Sequence, residues 1–287
     1  MSVVRSFVFV VTALLLPSFA TAQSTPGATA SVLAQQGQAA TDPDQDLRPN
    51  PAQPDFTLGA LPTTLRMPSG KFAFRLTHRF ARPIASGSAG DFFADFFGFD
   101  SSARVGFELR YGVRPGTQVA LHRTNDRAIQ ILGQQQVVRF HHRGAVTADA
   151  VVAVEGENNL SEHFSGTVGA VIGHELTDRG AVYAQPLFVS NTNHSGTGDR
   201  HTMLLGLGAR LRLGKSRTYI VAEAAPQIGG YRDGVDHVSF GIEKRAGGHV
   251  FQFNVSNALG TTFRQIARGG VNKDDWFIGF NLTRKFF

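Results

Sequence analysis

The chain has no cysteine. That excludes a disulfide framework, a cysteine zinc site, a thiol nucleophile and covalently attached c-type haem. Charge is sparse as well: 17% of the 287 residues are charged, where about a quarter is usual. Lysine is nearly missing, with 5 against 23 arginines, and the net charge is +6. A nucleic-acid binder can show that balance, but these arginines are scattered through alternating segments, no RNA-binding aromatic motif accompanies them, and no nucleic-acid partner is expected. Long apolar runs are absent beyond the first twenty residues, and a hydrophobic fraction of 42% is too low for a bundle of membrane helices. Glycine, by contrast, is abundant at 32 residues.

The single apolar run lies in MSVVRSFVFVVTALLLPSFATA, residues 1–22. Arg5 gives the positive start, Phe7 to Leu16 is apolar, Pro17 breaks it, and Ala20-Thr21-Ala22 supplies the small residues of a cleavage site. The run is too short for a bilayer core of about 30 Å, so a cleaved secretory signal is expected, with Gln23 beginning the mature chain. Residues 23–68 are rich in Gln, Ala, Thr, Pro, Asp and Gly and keep no period of 2 or 3.6. Such composition does not offset the entropy of ordering, and a disordered periplasmic tail is expected there.

From Gly70 onward the pattern has period two. GKFAFRLTHRF sets Phe72, Phe74, Leu76 and Phe80 against Lys71, Arg75 and Arg79; ARVGFELRYGVR sets Val105, Phe107, Leu109, Tyr111 and Val113 against Arg104, Glu108, Arg110 and Arg114. HTMLLGLGARLRL opposes Met203, Leu205, Leu207 and Leu211 to Thr202, Arg210 and Arg212, and the last segment opposes Trp276, Ile278, Phe280, Leu282 and Phe286 to Asn281, Thr283 and Lys285. Side chains of a strand alternate between faces, so these are strands with one oily and one cationic face. Runs of this kind fall at 70–80, 103–114, 117–125, 128–142, 145–154, 163–176, 181–189, 201–213, 217–227, 236–245, 248–257 and 275–287, with faces least distinct at 128–142, 145–154 and 217–227. Their connections alternate between short turns, such as Pro115-Gly116 and Gly214-Lys215-Ser216, and long stretches, such as 81–102, 190–200 and 258–274; Asp126-Arg127 departs from this. Short turns at one end and long loops at the other characterise an antiparallel membrane barrel. The expected fold is therefore all-β: over residues 69–287, a single antiparallel up-and-down transmembrane β-barrel of about twelve strands, in the bacterial outer membrane and in contact with its lipid.

Two orientations fit alternating faces. A soluble barrel turns its oily face inward, whereas a membrane barrel turns it to lipid and lines the lumen with charge. The export signal, the strand number and the phenylalanine-rich apolar faces favour the second, with Tyr111, Tyr219 and Trp276 as interface anchors. The closing GFNLTRKFF resembles the C-terminal sorting signal of outer-membrane barrels, through Phe280, Leu282 and Phe286, with Phe287 added beyond the usual end. THRF at 77–80, DFFGFDSSARVGFELRYGV at 95–113 and the closing GFNLTRKF resemble a family of secreted bacterial outer-membrane-type β-barrels classed as a domain of unknown function. The resemblance covers about residues 65–287. It implies a barrel, delivered to the barrel-assembly machinery by its C-terminal strand, and brings no catalytic residue.

On this reading the pore-lining residues are Lys71, Arg75, Arg79, Arg104, Glu108, Arg110, Arg114, Arg210, Arg212 and Lys285, with Glu223 and Glu243 as further acids. A cationic wall favours anions in a pore, so a narrow pore for small, anionic solutes is expected. In the first long loop, Asp91, Phe92, Phe93, Asp95, Phe96, Phe97, Phe99 and Asp100 approximate helical spacing. Five phenylalanines exposed to water are unfavourable, so this segment is expected to fold into the barrel mouth as a constriction, or to dip into lipid at the rim. A non-conducting scaffold that docks an envelope partner through the tail and loops is the alternative.

An outer-membrane lipid hydrolase is the third reading. His163 and Ser165 share a strand face, but polar luminal filling explains both, no serine sits in a G-x-S-x-G setting, and no enzyme activity is expected. The ten histidines are dispersed. Neither a metal site nor a cofactor is expected.

Overall fold

The computed structural model describes residues 47–87, 90, 94, 102–141, 144–193, 198 and 200–287. The expected signal at 1–22 lies outside them, as do the eight residues of the expected first-loop constriction, Asp91 to Asp100. Among the described residues thirteen strands follow in order: β1 Phe72–Phe80, β2 Ala103–Arg114, β3 Thr117–Thr124, β4 Ile129–His141, β5 Ala145–Glu157, β6 Glu162–Glu175, β7 Gly180–Val189, β8 Thr202–Arg212, β9 Thr218–Ala225, β10 Gln227–Gly230, β11 His237–Ala246, β12 His249–Ser256 and β13 Phe277–Lys285, with a helix, α1 Phe263–Arg268, before the last strand.

Twelve of these close into an antiparallel barrel. Each pairs with its neighbours in sequence, β9 pairs β11, and the ring shuts where β1 meets β13, from Ala73 opposite Lys285 to Arg79 opposite Gly279. β10 stands outside the ring. It continues the line of β9 along β8 after Pro226, facing Thr202 to Leu204. Short turns cluster at the end where β1 begins and β13 ends. At the other end lie the long loops, among them 257–276, which carries α1. The connection between β5 and β6 is shorter than the sequence suggests, because Asn158, Asn159 and Leu160 take left-handed backbone conformations and turn the chain tightly.

Exposure settles which face is which. Phe107, Leu109 and Phe253 on the outside are 51%, 54% and 56% exposed, while Arg79 and Arg210 on the inside are 1% and 0%. A soluble barrel shows the reverse. A continuous belt of exposed Phe, Leu, Ile and Val is stable only against hydrocarbon. The closing seam is covered by rings: Phe72 stacks on Phe286 at 4.5 Å, and His78 on Phe280 at 4.8 Å.

The inner wall is less uniform than alternation implies. Leu132, Val151, Ala153, Val171, Leu187, Leu204 and Val221 face inward in one buried apolar cluster. These strands are oily on both faces, which is why 128–142, 145–154 and 217–227 read indistinctly in the sequence.

Candidate functional site: an occupied lumen

Of the tail expected at 23–68, residues 23–46 lie outside the described residues, and the remainder, 47–68, is ordered instead of mobile. Residues 52–64 are all buried, inside the barrel. The chain enters at the short-turn end, where Asn50 Nδ2 donates to Glu175 Oε1 at 3.1 Å and Tyr219 OH to Pro51 O at 2.9 Å. It turns back at Leu58-Gly59-Ala60-Leu61, with Thr57 bridging Pro62 and Leu58 N bonded to Leu61 O at 2.8 Å. It leaves by the same end, where Met67 N donates to Gln118 Oε1 at 3.1 Å. The result is an inserted hairpin.

A buried backbone must find partners for its N–H and C=O groups. Here wall side chains supply them. Glu223 accepts from Gly59 N at 2.9 Å, Ala60 N at 2.8 Å and Leu61 N at 3.0 Å, and His237 Nε2 lies 2.9 Å from the same carboxylate. Gly59 O accepts from Arg75 and, at 2.9 Å, from Asn281. Arg210 donates to Thr57 O at 2.6 Å and Asp55 O at 3.2 Å, and pairs with Glu243 at 2.9 Å. Gln252, Gln185 and Gln134 donate to the carbonyls of Leu58, Pro62 and Thr63. The entropy of ordering the segment is offset this way, together with burial of Phe56, Leu58, Leu61 and Met67.

Wall glycines make the room. A Cβ at Gly208 would fall 2.1 Å from Leu58 Cδ1, and one at Gly173 2.4 Å from Thr64 Oγ1.

The long-loop end is filled from within too. Thr262 caps α1 in a capping box with Gln265. Glu155 accepts from Thr262 Oγ1 at 2.6 Å and Arg264 N at 3.2 Å, and Gln130 Oε1 from Phe263 N at 2.7 Å, so the unpaired N–H groups of the first turn are met by the wall. Phe263, Ile266 and Ala267 join the apolar cluster that contains Leu58 and Leu61. Thr262→Ala should cost about 1–2 kcal/mol of loop docking. It should read as faster trypsin cleavage after Arg264 and Arg268 while the strands resist; unchanged cleavage would mean the helix is held by other contacts.

The expected pore-lining residues divide by depth. Arg75, Arg79, Glu108, Arg110 and Arg210 are buried in the interior, where Arg75, Arg79 and Arg210 bind hairpin carbonyls; Arg110 pairs with Glu108 at 2.9 Å and lies over Phe56. They do not line water. Arg104 sits toward the long loops, paired with Asp126. Lys71, Arg114, Arg212 and Lys285 mark the short-turn end, Arg212 3.3 Å from Asp178. Asp149 and Glu155, which the sequence reading missed, join the expected Glu223 and Glu243 as buried inward acids, so the deep interior is close to balanced in charge. Also missed was the set of neutral amides, Gln118, Gln130, Gln134, Gln185 and Gln252; their signal was an amide at alternate positions of oily strands.

Of the residues assigned to the sorting signal, Phe280 and Leu282 lie on the outer face of β13, and Phe286 and Phe287 follow it, exposed. His163 Nδ1 is 2.7 Å from Glu157 Oε2, whereas Ser165 Oγ donates to Ser190 O, so the two take different partners. Among the described residues no group of three His, Cys, Asp or Glu side chains is placed to hold a metal ion.

A closed barrel with an oily exterior and an ordered, charged interior defines a membrane β-barrel. The sequence matches the family model "Membrane bound beta barrel domain (DUF5777)" over residues 55–286, and the chain belongs to that family. The match begins at Asp55 and so takes in the hairpin tip together with the strands. No functionally curated protein matches. Among solved structures the chain is similar to a porin variant from Rh. blastica, at 12% identity and TM-score 0.33, covering 64% of this chain and 55% of the porin. The alignment thus spans about half the porin's length. It is also similar to outer membrane phospholipase A from Escherichia coli, at 11% identity and TM-score 0.45, covering 76% of this chain and 91% of the other.

Proposed function

We propose that this barrel is a gated outer-membrane pore for small solutes, exported by the signal at 1–22 and closed at rest by residues 50–67. One observation carries the reading: the hairpin is gripped by wall side chains, and it enters and leaves by one end. It can therefore withdraw without breaking a barrel ladder. On withdrawal, Arg75, Arg79 and Arg210 turn from carbonyls to water, and the basic short-turn mouth, facing the periplasm, favours anions. The reading includes no catalytic step. Its partners are outer-membrane lipid, the assembly machinery through the C-terminal strand, and a periplasmic protein acting on the tail at 23–46.

The absence of cysteine provides a clean test. A Cβ at Gly173 lies 3.3 Å from Thr64 Cβ, close to disulfide geometry. In planar bilayers, Thr64→Cys with Gly173→Cys should be silent when oxidised and show openings after reduction. Openings that persist with the disulfide formed would refute the gate. Silence in both states would favour the second reading, a non-conducting scaffold, which the filled lumen also supports.

A further inference from the structure

At the short-turn mouth a cavity of about 130 Å³ lies between the hairpin's two stems and the wall. Its charged side chains are Arg48 and Arg66 from the stems with Arg245 and Lys285 from β11 and β13, and no Asp or Glu is among the lining residues. Val250, Leu65 and Phe287 close its sides. Behind it, a second cavity of about 250 Å³ shares Arg48 and Arg66 and adds Arg139 and Glu175. The Glu175 Oε1 oxygen is already engaged, accepting from Asn50 at 3.1 Å and Gln53 at 2.8 Å. Other groups hold Arg245 and Lys285 in place: Arg245 Nε donates to Gly247 O at 3.4 Å, and Lys285 Nζ lies 4.8 Å from the Phe56 ring centroid.

Four cations converging on a walled space concentrate positive potential where the dielectric is low. Guanidinium groups present paired N–H donors that match the oxygens of phosphate-like anions. The cavity is small, and it opens on the aqueous mouth, whereas the outer face of the same strands meets lipid.

We infer that this mouth cavity binds a small multivalent oxyanion of the phosphate class, held jointly by Arg48 and Arg66 of the hairpin and Arg245 and Lys285 of the wall. The site rests on the pore reading and deepens it as a control on opening, because an anion shared by hairpin and wall favours the closed state. It is tested by binding alone, so its failure is separable from failure of the gate. Because the ligand is shared between hairpin and wall, it binds only while the hairpin is seated.

The experiment is calorimetric titration of inorganic phosphate into the refolded full-length chain in a phosphate-free, uncharged detergent, with folding confirmed by heat-shifted gel mobility. Saturable one-to-one binding is expected. Arg48→Gln, which touches no strand, and Arg245→Gln should each weaken it by about tenfold or more, and Arg123→Gln at the far end should not. Absence of saturable binding by the folded chain would overturn the inference. So would binding insensitive to both mouth substitutions, or phosphate binding that is abolished when phosphatidylglycerol nanodiscs replace the detergent, since a lipid headgroup would then be the preferred occupant.

Discussion

Deletion of residues 50–67 should turn a quiet barrel into one that conducts steadily. In the native chain the hairpin fills the centre of the lumen, and its tip bonds to Glu223, Arg75, Asn281 and Gln252. Twelve strands enclose a modest bore, so one inserted hairpin is enough to exclude ions. Planar-bilayer recordings of the deletion should show large, long-lived steps where the native chain shows rare, brief openings. Removing the hairpin also strips partners from buried Arg and Glu side chains, although entering water can replace them. Gly208→Leu is the companion variant, because a Cβ there already collides with Leu58 and a larger side chain occupies the tip's place without shortening the chain. Silence from both variants, each folded by heat-shifted mobility, would mean that other segments block the lumen.

The largest stability effect is expected at Arg210. Its guanidinium and the Glu243 carboxylate are both wholly buried, 2.9 Å apart, and the same guanidinium holds two hairpin carbonyls. Removing one partner of a buried pair leaves an uncompensated charge in a low-dielectric interior, typically at a cost of about 3–5 kcal/mol. Arg210→Met should lower stability by that amount in urea unfolding from detergent or bilayer. Adding Glu243→Gln should recover part of it, because the stranded charge is then gone. Equal losses for the single and double variants would show that the hairpin contacts of Arg210, and not its pairing with Glu243, set its contribution.

The barrel was legible in the sequence because a strand writes its environment at every second residue. Phe72, Phe74 and Leu76 alternate with Arg75 and Arg79, and each group lies on the face that alternation assigned. Legibility failed where that contrast failed. Val151 and Ala153 face inward while Val152 faces lipid, so both faces of β5 are oily and the period fades. β10 was invisible for another reason: its four residues, Gln227–Gly230, form only a short extension past Pro226.

The occupied lumen was hidden by a different kind of structure. The hairpin has neither helical nor strand period, since its backbone partners are side chains distant in sequence, with 164 residues separating Gly59 from Glu223. Its apolar residues Phe56, Leu58, Leu61 and Met67 were a usable signal, as were the inward glycines at 206 and 208 beside them. Composition averaged over the whole of 23–68 diluted both. Arg75, Arg79, Arg110 and Arg210 are buried, but alternation does not say whether a guanidinium meets water or a carbonyl.

The shared apolar cluster has a consequence for how the two ends of the barrel are coupled. Phe263 and Ile266 reach it from the long-loop end, Leu58 and Leu61 from the short-turn end. If either pair is lifted away, the remaining one is wetted, at roughly 1.5–3 kcal/mol for each large side chain fully exposed. Coupling of that kind is reciprocal by thermodynamic necessity: whatever loosens α1 at the long-loop end eases extraction of the hairpin from the short-turn end, and a pull on the hairpin makes α1 easier to dislodge.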